Sequence, residues 1–233
     1  MMILSTKLLN NSIIKKAKQE FGYDLVCKSF TRIKEVDFVC SPYTIQSYDG
    51  FAFTSANAVH YFLENINTSA LAKKSIFALQ GATRRELLSR DIIPNIIAPN
   101  VDELGKLIKL KHEAIRVQKV LHPTGNLTLS TLRDILIESG LSYQDINVYK
   151  TELNPIPIDA YPYKAVLFFS PSAIDSFSMV NRFLSERIYV CIGQTTLTRL
   201  RFYTQTSNVV IARSPTPEAM LIALYKKLKN KDE

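Results

Sequence analysis

The chain has 233 residues, enough for one large domain or two modest ones, and its formal charge of +8 favours anionic partners without specifying which. Cys27, Cys40 and Cys191 are odd in number and widely spaced, so they indicate neither a disulfide framework nor a zinc site. The first residues lack the apolar core of a signal peptide, and no apolar run is long enough to span a membrane. We therefore expect a cytoplasmic protein with reduced thiols.

The predicted elements alternate between strands and helices from one end of the chain to the other. Apolar runs and helical spacing place them, in chain order, as follows: strand 2–5, helix 13–21 after Ser12, strands 23–26 and 29–34, strand 51–54, helix 57–65, strand 75–79, a helix from 84, strand 93–98, helix 101–111, strand 117–121, a turn at 123–126, helix 130–139, strand 146–152, strand 166–169, helix 173–184, strand 188–192, strand 209–212 and a helix from 218.

An internal repeat organises these elements. Phe53-Thr54-Ser55-Ala56-Asn57-Ala58-Val59 and Phe168-Phe169-Ser170-Pro171-Ser172-Ala173 lie about 115 residues apart, and each indicates a buried strand, a tight loop and a helix start. The second half lacks a fourth strand–helix unit, which the segment 3–32 supplies because it resembles 121–151 at an offset of about 118.

This pattern predicts an α/β fold with two doubly wound parallel-sheet domains. The outer domain would be discontinuous, comprising 1–29 and 153–233, and the inner domain would comprise 36–147. The alternating segments 30–35 and 148–152 would cross between the domains as a two-stranded β-ladder. Ligands of such sheets bind beyond the carboxyl ends of the strands, so we expect the site in the cleft between the domains.

The loops at the strand ends are rich in Ser, Thr, Gly and Asn and poor in carboxylates, His and Cys. Such residues present N–H and hydroxyl donors to an oxygen-rich anion, although each one could also serve only to cap a helix. No metal site or covalent nucleophile is indicated. The motifs typical of Rossmann dinucleotide sites, P-loops and α/β-hydrolases do not occur in the sequence.

Two further residues are candidates for function. Tyr149, in the second crossing strand, is a proton donor that would lie between the domains, or else an aromatic packed on the ladder. His122 stands at a strand end, where a structural role is the alternative to a functional one.

Five stretches together resemble the uroporphyrinogen-III synthase family and cover nearly the whole chain in the family's order. They are the two repeated segments above, Val148-Tyr149-Lys150-Thr151, Ile192-Gly193-Gln194-Thr195-Thr196 and Ser214-Pro215-Thr216-Pro217-Glu218-Ala219. The resemblance implies two flavodoxin-like halves joined by a β-ladder. It also implies cyclisation of hydroxymethylbilane, a linear tetrapyrrole polycarboxylate, to uroporphyrinogen III with inversion of ring D and loss of water.

The resemblance also implies roles for particular residues. Tyr149 would assist departure of the hydroxyl as a proton donor. The predicted substrate-binding residues are Ser55, Asn57, Thr83, Gly125, Asn126, Ser170, Ser172, Thr195 and Thr196. We expect no cofactor, no metal, no nucleic-acid or membrane partner, and a monomer.

The chain departs from the family pattern at a few positions. Asn57 stands where some members have a basic residue, and Leu127, Thr128 and Leu129 follow Gly125-Asn126 where some members have cations. Gln194 replaces a common proline. Fewer cations at these positions could weaken substrate binding.

Two alternatives come from other functional classes. A non-catalytic two-domain binding module for an anionic small metabolite would use the same donor loops. A nucleic-acid binder would use the net charge, but the sequence lacks the aromatic-basic interleaving of such proteins.

Overall fold

The computed structural model describes residues 1–158 and 162–229. The chain divides into two compact units. Unit 1 comprises Met1–Arg32 and Glu152–Glu233, and unit 2 comprises Ile33–Thr151. Both divisions fall within the segments predicted to cross between domains. Among the described residues, no helix combines the length and the apolar character that crossing a membrane requires.

Strands and helices alternate along both units. In chain order the elements are β1 (Met2–Ser5), α1 (Asn11–Phe21), β2 (Asp24–Cys27), β3 (Thr31–Glu35), α2 (Pro42–Gln46), β4 (Gly50–Phe53), α3 (Ala56–Glu64), a 3-10 turn (Thr68–Leu71), β5 (Ser75–Leu79), α4 (Ala82–Leu88), β6 (Ile96–Ala98), α5 (Val101–Lys111), β7 (Lys119–Gly125), α6 (Thr131–Glu138), β8 (Ser142–Leu153), β9 (Ala165–Phe168), α7 (Pro171–Ser178), β10 (Ile188–Cys191), α8 (Gln194–Arg201), β11 (Val209–Ile211) and α9 (Pro217–Lys229).

Each unit is built on one sheet. Unit 1 has a five-stranded sheet in the order β11-β10-β9-β1-β2, and all its neighbours are parallel. Unit 2 has a six-stranded sheet in the order β3-β8-β7-β4-β5-β6, in which the five strands from β8 to β6 are parallel. These parallel sheets, with intervening helices, confirm the predicted α/β class.

The two sheets have the same spatial order of equivalent strands, as the sequence repeat predicts. The pairs are β4 with β9, β5 with β10, β6 with β11, β7 with β1 and β8 with β2. The registers agree as well: Gly50 pairs with Val120 in unit 2, and Ala165 pairs with Ile3 in unit 1. The segment 3–32 therefore supplies the strands that complete the sheet of unit 1.

Apolar side chains cover both faces of each sheet. In unit 2, Phe51 and Phe53 belong to one buried cluster, whereas Ala52 and Phe77 belong to another. Successive strand residues point to opposite faces, so this division follows from a strand buried on both sides. Unit 1 also has two such clusters, which explains why its strands consist almost wholly of apolar residues.

The prediction that β7 turns at residues 123–126 was wrong, because the strand continues through Pro123 to Gly125. β4 pairs with β7 only as far as Leu121, whereas β8 follows it to the end. Beyond Leu121, β7 therefore has a paired neighbour on one side alone. A proline is tolerated where no backbone N–H is needed for the ladder.

Other predicted boundaries also differ from the structure. Helix α1 has Asn10 rather than Ser12 as its N-cap, since Asn10 Oδ1 accepts from the backbone N–H of Ile13 at 3.0 Å. Helix α7 ends at Ser178 instead of 184, and the Asn181 side chain that follows it accepts from the backbone N–H of Ile158 and donates to the carbonyl of Ile156. Strand β8 begins at Ser142 rather than 146, and the short helix α2 was not predicted.

Gly105 permits helices α5 and α6 to pack closely. A Cβ atom at residue 105 would lie 2.8 Å from Cδ1 and 2.9 Å from Cγ2 of Ile135. We expect Gly105→Ala to lower the free energy of unfolding by about 1–2 kcal/mol, because overpacking outweighs the roughly 1 kcal/mol gained in helix propensity. Denaturant unfolding measures this effect.

The variant Gly105→Ala/Ile135→Ala provides the control, because it removes both atoms with which the new methyl group collides. We expect the double variant to be more stable than the sum of the two single effects implies. Strict additivity would contradict the proposed collision.

Candidate active site

The phenol of Tyr149 lies at the amino end of helix α3. Its hydroxyl donates a hydrogen bond to Ser55 Oγ at 3.1 Å. Ser55 is the N-cap of α3, and the same oxygen accepts from the backbone N–H of Asn57 at 3.2 Å. The structure thus brings together three of the predicted site residues within unit 2. The amino end of a helix carries a partial positive charge, which favours an anion at this position.

Gly125 makes room for the Tyr149 ring. A Cβ atom at residue 125 would lie 2.6 Å from Cε2 and 2.8 Å from the hydroxyl oxygen of Tyr149. The strand register shifts at this point: Thr124 pairs with Asn147, whereas Gly125 pairs with Tyr149. Val148 is therefore the extra residue of a β-bulge, a feature that redirects the side chain that follows it.

The Tyr149 ring is also packed against the core of unit 2. Tyr61 stacks on it, with 6.2 Å between the ring centroids and 26° between the ring planes. The ring borders the buried cluster that contains Phe53 and Val59. Packing against Tyr61 and the close contact with Gly125, together with the bond to Ser55, restrict the orientation of the ring, so the phenol oxygen is held in place before any ligand binds.

Asn126 contacts strand β8 rather than extending freely from its loop. Its Oδ1 accepts from the backbone N–H of Thr151 at 2.8 Å, and its amide nitrogen donates to the Thr151 carbonyl at 3.4 Å. A cavity of about 200 Å³ adjoins Gly125 and Asn126. Arg133 lines this cavity, as does Asp145, so it contains charges of both signs.

Thr83 and Thr196 lie in the first turns of α4 and α8, as the second residue of α4 and the third of α8. Both threonines are buried, with only 5% and 3% of their surfaces exposed. Each helix follows a glycine, Gly81 or Gly193, and within the described residues no side chain caps either one. Thr195, next to Thr196, is exposed.

Ser170 corresponds to Ser55 in the repeat and has the same local role. It is the N-cap of α7, and its Oγ accepts from the backbone N–H of Ala173 at 3.2 Å. Ser172 is half-buried in the first turn of that helix. Both serines therefore begin a helix after a central strand of their own unit.

A hydrogen-bonded chain behind the end of β4 was missed by the sequence analysis. Thr54 Oγ1 lies 2.9 Å from Nε2 of His122, and Nδ1 of the same ring lies 2.7 Å from the hydroxyl of Tyr143. We call Thr54, His122 and Tyr143 the polar triad. The strand-end position of His122 was visible in the sequence. Its partners were not, because they come from two other strands.

Burial determines the charge of the polar triad. Only 1% of the His122 surface is exposed, and burial lowers the pKa of its imidazole to about 4, while Asp145 opposes this weakly. Burial and the Asp145 carboxylate raise the pKa of the Tyr143 phenol above its ordinary value. At neutral pH both groups are therefore uncharged.

A larger cavity, of about 770 Å³, contains none of the predicted site residues. It lies at the opposite ends of the strands, where Lys119 begins β7 and Ser142 begins β8. Ligands of parallel sheets bind at the carboxyl ends of strands, and the residues around Tyr149 lie at those ends. We therefore assign the candidate site to the region of Tyr149 and Ser55.

The pKa of His122 predicts how stability depends on pH. Between about pH 6.5 and about pH 4 the unfolded chain binds a proton at this histidine that the folded chain does not bind, so stability falls as the pH falls. The loss amounts to roughly 2–3 kcal/mol by about pH 4.5. In denaturant unfolding, we expect His122→Gln to lose less stability than the wild type over this range. His112→Gln is the control for removal of a histidine, and equal losses in wild type and His122→Gln would contradict the prediction.

Comparisons with known proteins agree on one family. The family model described as uroporphyrinogen-III synthase HemD matches residues 13–222. A uroporphyrinogen-III synthase from Chlorobaculum parvum is 24% identical over 170 residues, which make up 65% of this chain and 69% of that protein.

Two solved structures have a similar fold. The uroporphyrinogen-III synthetase of Helicobacter pylori has a TM-score of 0.70 at 22% identity, with 97% of this chain and 99% of that chain covered. A mutant uroporphyrinogen III synthase from Thermus thermophilus has a TM-score of 0.65 at 14% identity, with 99% of each chain covered. Because the family model spans nearly the whole chain, this chain belongs to the uroporphyrinogen-III synthase family.

Proposed function

We propose that this chain cyclises hydroxymethylbilane to uroporphyrinogen III and that Tyr149 gives a proton to the departing hydroxyl. The family supplies the reaction, since its members are lyases that close a linear tetrapyrrole. One observation carries the role of Tyr149: its hydroxyl is hydrogen-bonded to Ser55 at the amino end of α3. A proton donor held in one orientation is what general acid catalysis requires.

The first step breaks the C–O bond of the hydroxymethyl group. When substrate binds, the O–H of Tyr149 turns from Ser55 Oγ to the substrate hydroxyl and transfers its proton, water leaves, and an azafulvene cation remains. Ser55, with its oxygen 3.1 Å away, can then turn its own hydroxyl to donate to the phenolate. The positive end of the α3 dipole stabilises the same negative charge.

The later steps determine which isomer forms. The substituted carbon of ring D attacks the cation to give a spiro intermediate, which reopens and recloses with ring D inverted. The proton lost from carbon at the end returns to the phenolate, so the net reaction is loss of one water. The unaided chain closes without inversion, and the protein must therefore hold the conformer that leads to inversion.

The substrate carboxylates require donors rather than a nucleophile. We propose that hydroxyl, amide and backbone N–H groups at the strand ends of the two units bind them, and the net charge of +8 attracts the polyanion. The proposed residues are Ser55, Asn57, Thr83, Gly125, Asn126, Ser170, Ser172, Thr195 and Thr196.

We further infer that the enzyme needs no cofactor, because the cyclisation involves no net oxidation or reduction and Tyr149 supplies the proton. A monomer in the cytoplasm is the state we propose. The free thiols of Cys27, Cys40 and Cys191 fit a reducing compartment.

The first experiment incubates the purified protein with freshly prepared hydroxymethylbilane and separates the oxidised type I and type III uroporphyrins. We expect type III from the wild type. We expect Tyr149→Phe to lower kcat by about 100-fold or more, as loss of a general acid does, with its melting temperature nearly unchanged.

Tyr48→Phe is the matched control. It removes the hydroxyl of a buried tyrosine in unit 2, one that donates to Gln144, and we expect it to keep the wild-type kcat. Exclusive type I product from folded wild type would refute the proposed reaction and favour the binding module. Wild-type kcat in Tyr149→Phe would remove Tyr149 from the mechanism.

Ser55→Ala tests the partner of the phenol. The variant loses both the N-cap of α3 and the group that receives the Tyr149 hydroxyl. We expect about 1 kcal/mol less stability, and a kcat lowered by about tenfold. Ser41→Ala removes an N-cap of α2 in the same unit and controls for capping. A kcat equal to that of Ser41→Ala would mean that Ser55 only caps the helix.

A further inference from the structure

His122 is buried, and Thr54 and Tyr143, which complete the polar triad, are half-buried. His122 is held through both ring nitrogens, by Thr54 from β4's end and Tyr143 from β8. Burying the His122 ring costs free energy unless its nitrogens are hydrogen-bonded, and networks that satisfy such a ring are retained where they fix a geometry. The equivalent place in unit 1 indicates whether the sheet itself needs them.

Strand register identifies the equivalent residues. Val120 pairs with Gly50 and Tyr143 in unit 2, and Ile3 pairs with Ala165 and Leu25 in unit 1. Counting along the strands from these pairs, Thr54 corresponds to Phe169, His122 to Ser5 and Tyr143 to Leu25. The apolar clusters match in the same way, with Val120 and Ile3 on equivalent faces.

Unit 1 contains no polar triad at that place. Phe169 and Leu25 pack against an apolar cluster, and Ser5 donates its hydroxyl to the carbonyl of Lys7. Thr6 Oγ1 accepts from the backbone N–H of Phe169 at 3.4 Å. One chain therefore contains the same sheet with and without the histidine network. The topology does not itself require a histidine at this place, so the role of His122 depends on what it contacts in unit 2.

Thr54 connects the network to Tyr149. It immediately precedes Ser55, whose oxygen receives the Tyr149 hydroxyl. His122 holds the Thr54 side chain, so the turn that carries Ser55 is restrained from β7. Without that bond, the turn between β4 and α3 would be held by its backbone and by the two hydrogen bonds of Ser55, to Asn57 and to Tyr149.

We propose that His122 is a positioning residue: through Thr54 it fixes the turn that presents Ser55 to the hydroxyl of Tyr149. This inference rests on the function proposed above for Tyr149. His122 touches no reacting atom, and the neutral imidazole suits the role because each of its nitrogens keeps one partner.

A double-mutant cycle tests the proposal. His122→Phe keeps an aromatic ring but loses both hydrogen bonds. We expect it to lower kcat by about fivefold or more, with KM little changed, and to raise the type I fraction, because the proton donor loses its alignment. In the Tyr149→Phe background, the same substitution should lower kcat by no more than about 1.5-fold, since no hydroxyl remains to be aligned.

Two further variants make the test specific. His122→Gln places an amide near the position of Nε2, and we expect it to recover most of the kcat that His122→Phe loses. Tyr48→Phe, which removes a tyrosine hydroxyl outside the network, should keep the wild-type kcat. If His122→Phe does not fold, Tyr143→Phe replaces it in the cycle, because it removes only the hydroxyl that contacts Nδ1.

The outcomes separate this inference from the function it rests on. Equal losses of kcat from His122→Phe in both backgrounds, or an unchanged kcat in the wild-type background, would overturn the positioning role alone. An unchanged kcat in Tyr149→Phe would refute the role of Tyr149 and this inference with it. A strong loss in the wild-type background that disappears in Tyr149→Phe, with recovery by glutamine, supports the proposal.

Discussion

The close approach of the Tyr149 ring to the backbone of Gly125 is the contact on which the candidate site depends. It requires a residue without a Cβ atom at 125, a strand β7 long enough to reach it, and the bulge at Val148 that turns the tyrosine towards β7. Only in that position does the hydroxyl reach Ser55. The missing side chain at Gly125 thus allows Tyr149 to connect the end of β7 to the start of α3.

Comparison of the two repeated units shows which features of the candidate site come from the shared topology and which belong to unit 2. Both units begin a helix after the central strand with a capping serine, Ser55 or Ser170. The shared topology therefore accounts for the caps. It does not account for the contact between Tyr149 and Gly125. Nor does it account for the buried His122 that is hydrogen-bonded to Thr54, since unit 1 has apolar residues at the places of Thr54 and Tyr143. Tyr149 and His122 are therefore features of unit 2 alone, within a topology that both units share.

The sequence predicted the order of strands and helices well, and the candidate site only in part. Buried parallel strands are short apolar runs, so β1, β5 and α5 were placed correctly and the fold class followed. The extension of β7 was missed because Pro123 normally ends a strand, and only the loss of its second neighbour makes the proline acceptable. The partners of His122 were missed because register between strands that are distant in sequence cannot be read from local pattern.

The Ser55 hydroxyl that contacts the Tyr149 phenol is an uncharged group, and such a partner suits the reaction proposed for Tyr149. Tyr149 and Ser55 carry hydroxyls, Asn57 carries a neutral amide, and burial keeps His122 uncharged at neutral pH. A cation fixed beside the carbon that loses water would raise the energy of the azafulvene intermediate, and a carboxylate would bind that intermediate and delay ring closure. Neutral donors avoid both penalties. They can release a proton, bind substrate carboxylates by hydrogen bonds, and leave the positive charge on the substrate free to move to ring D.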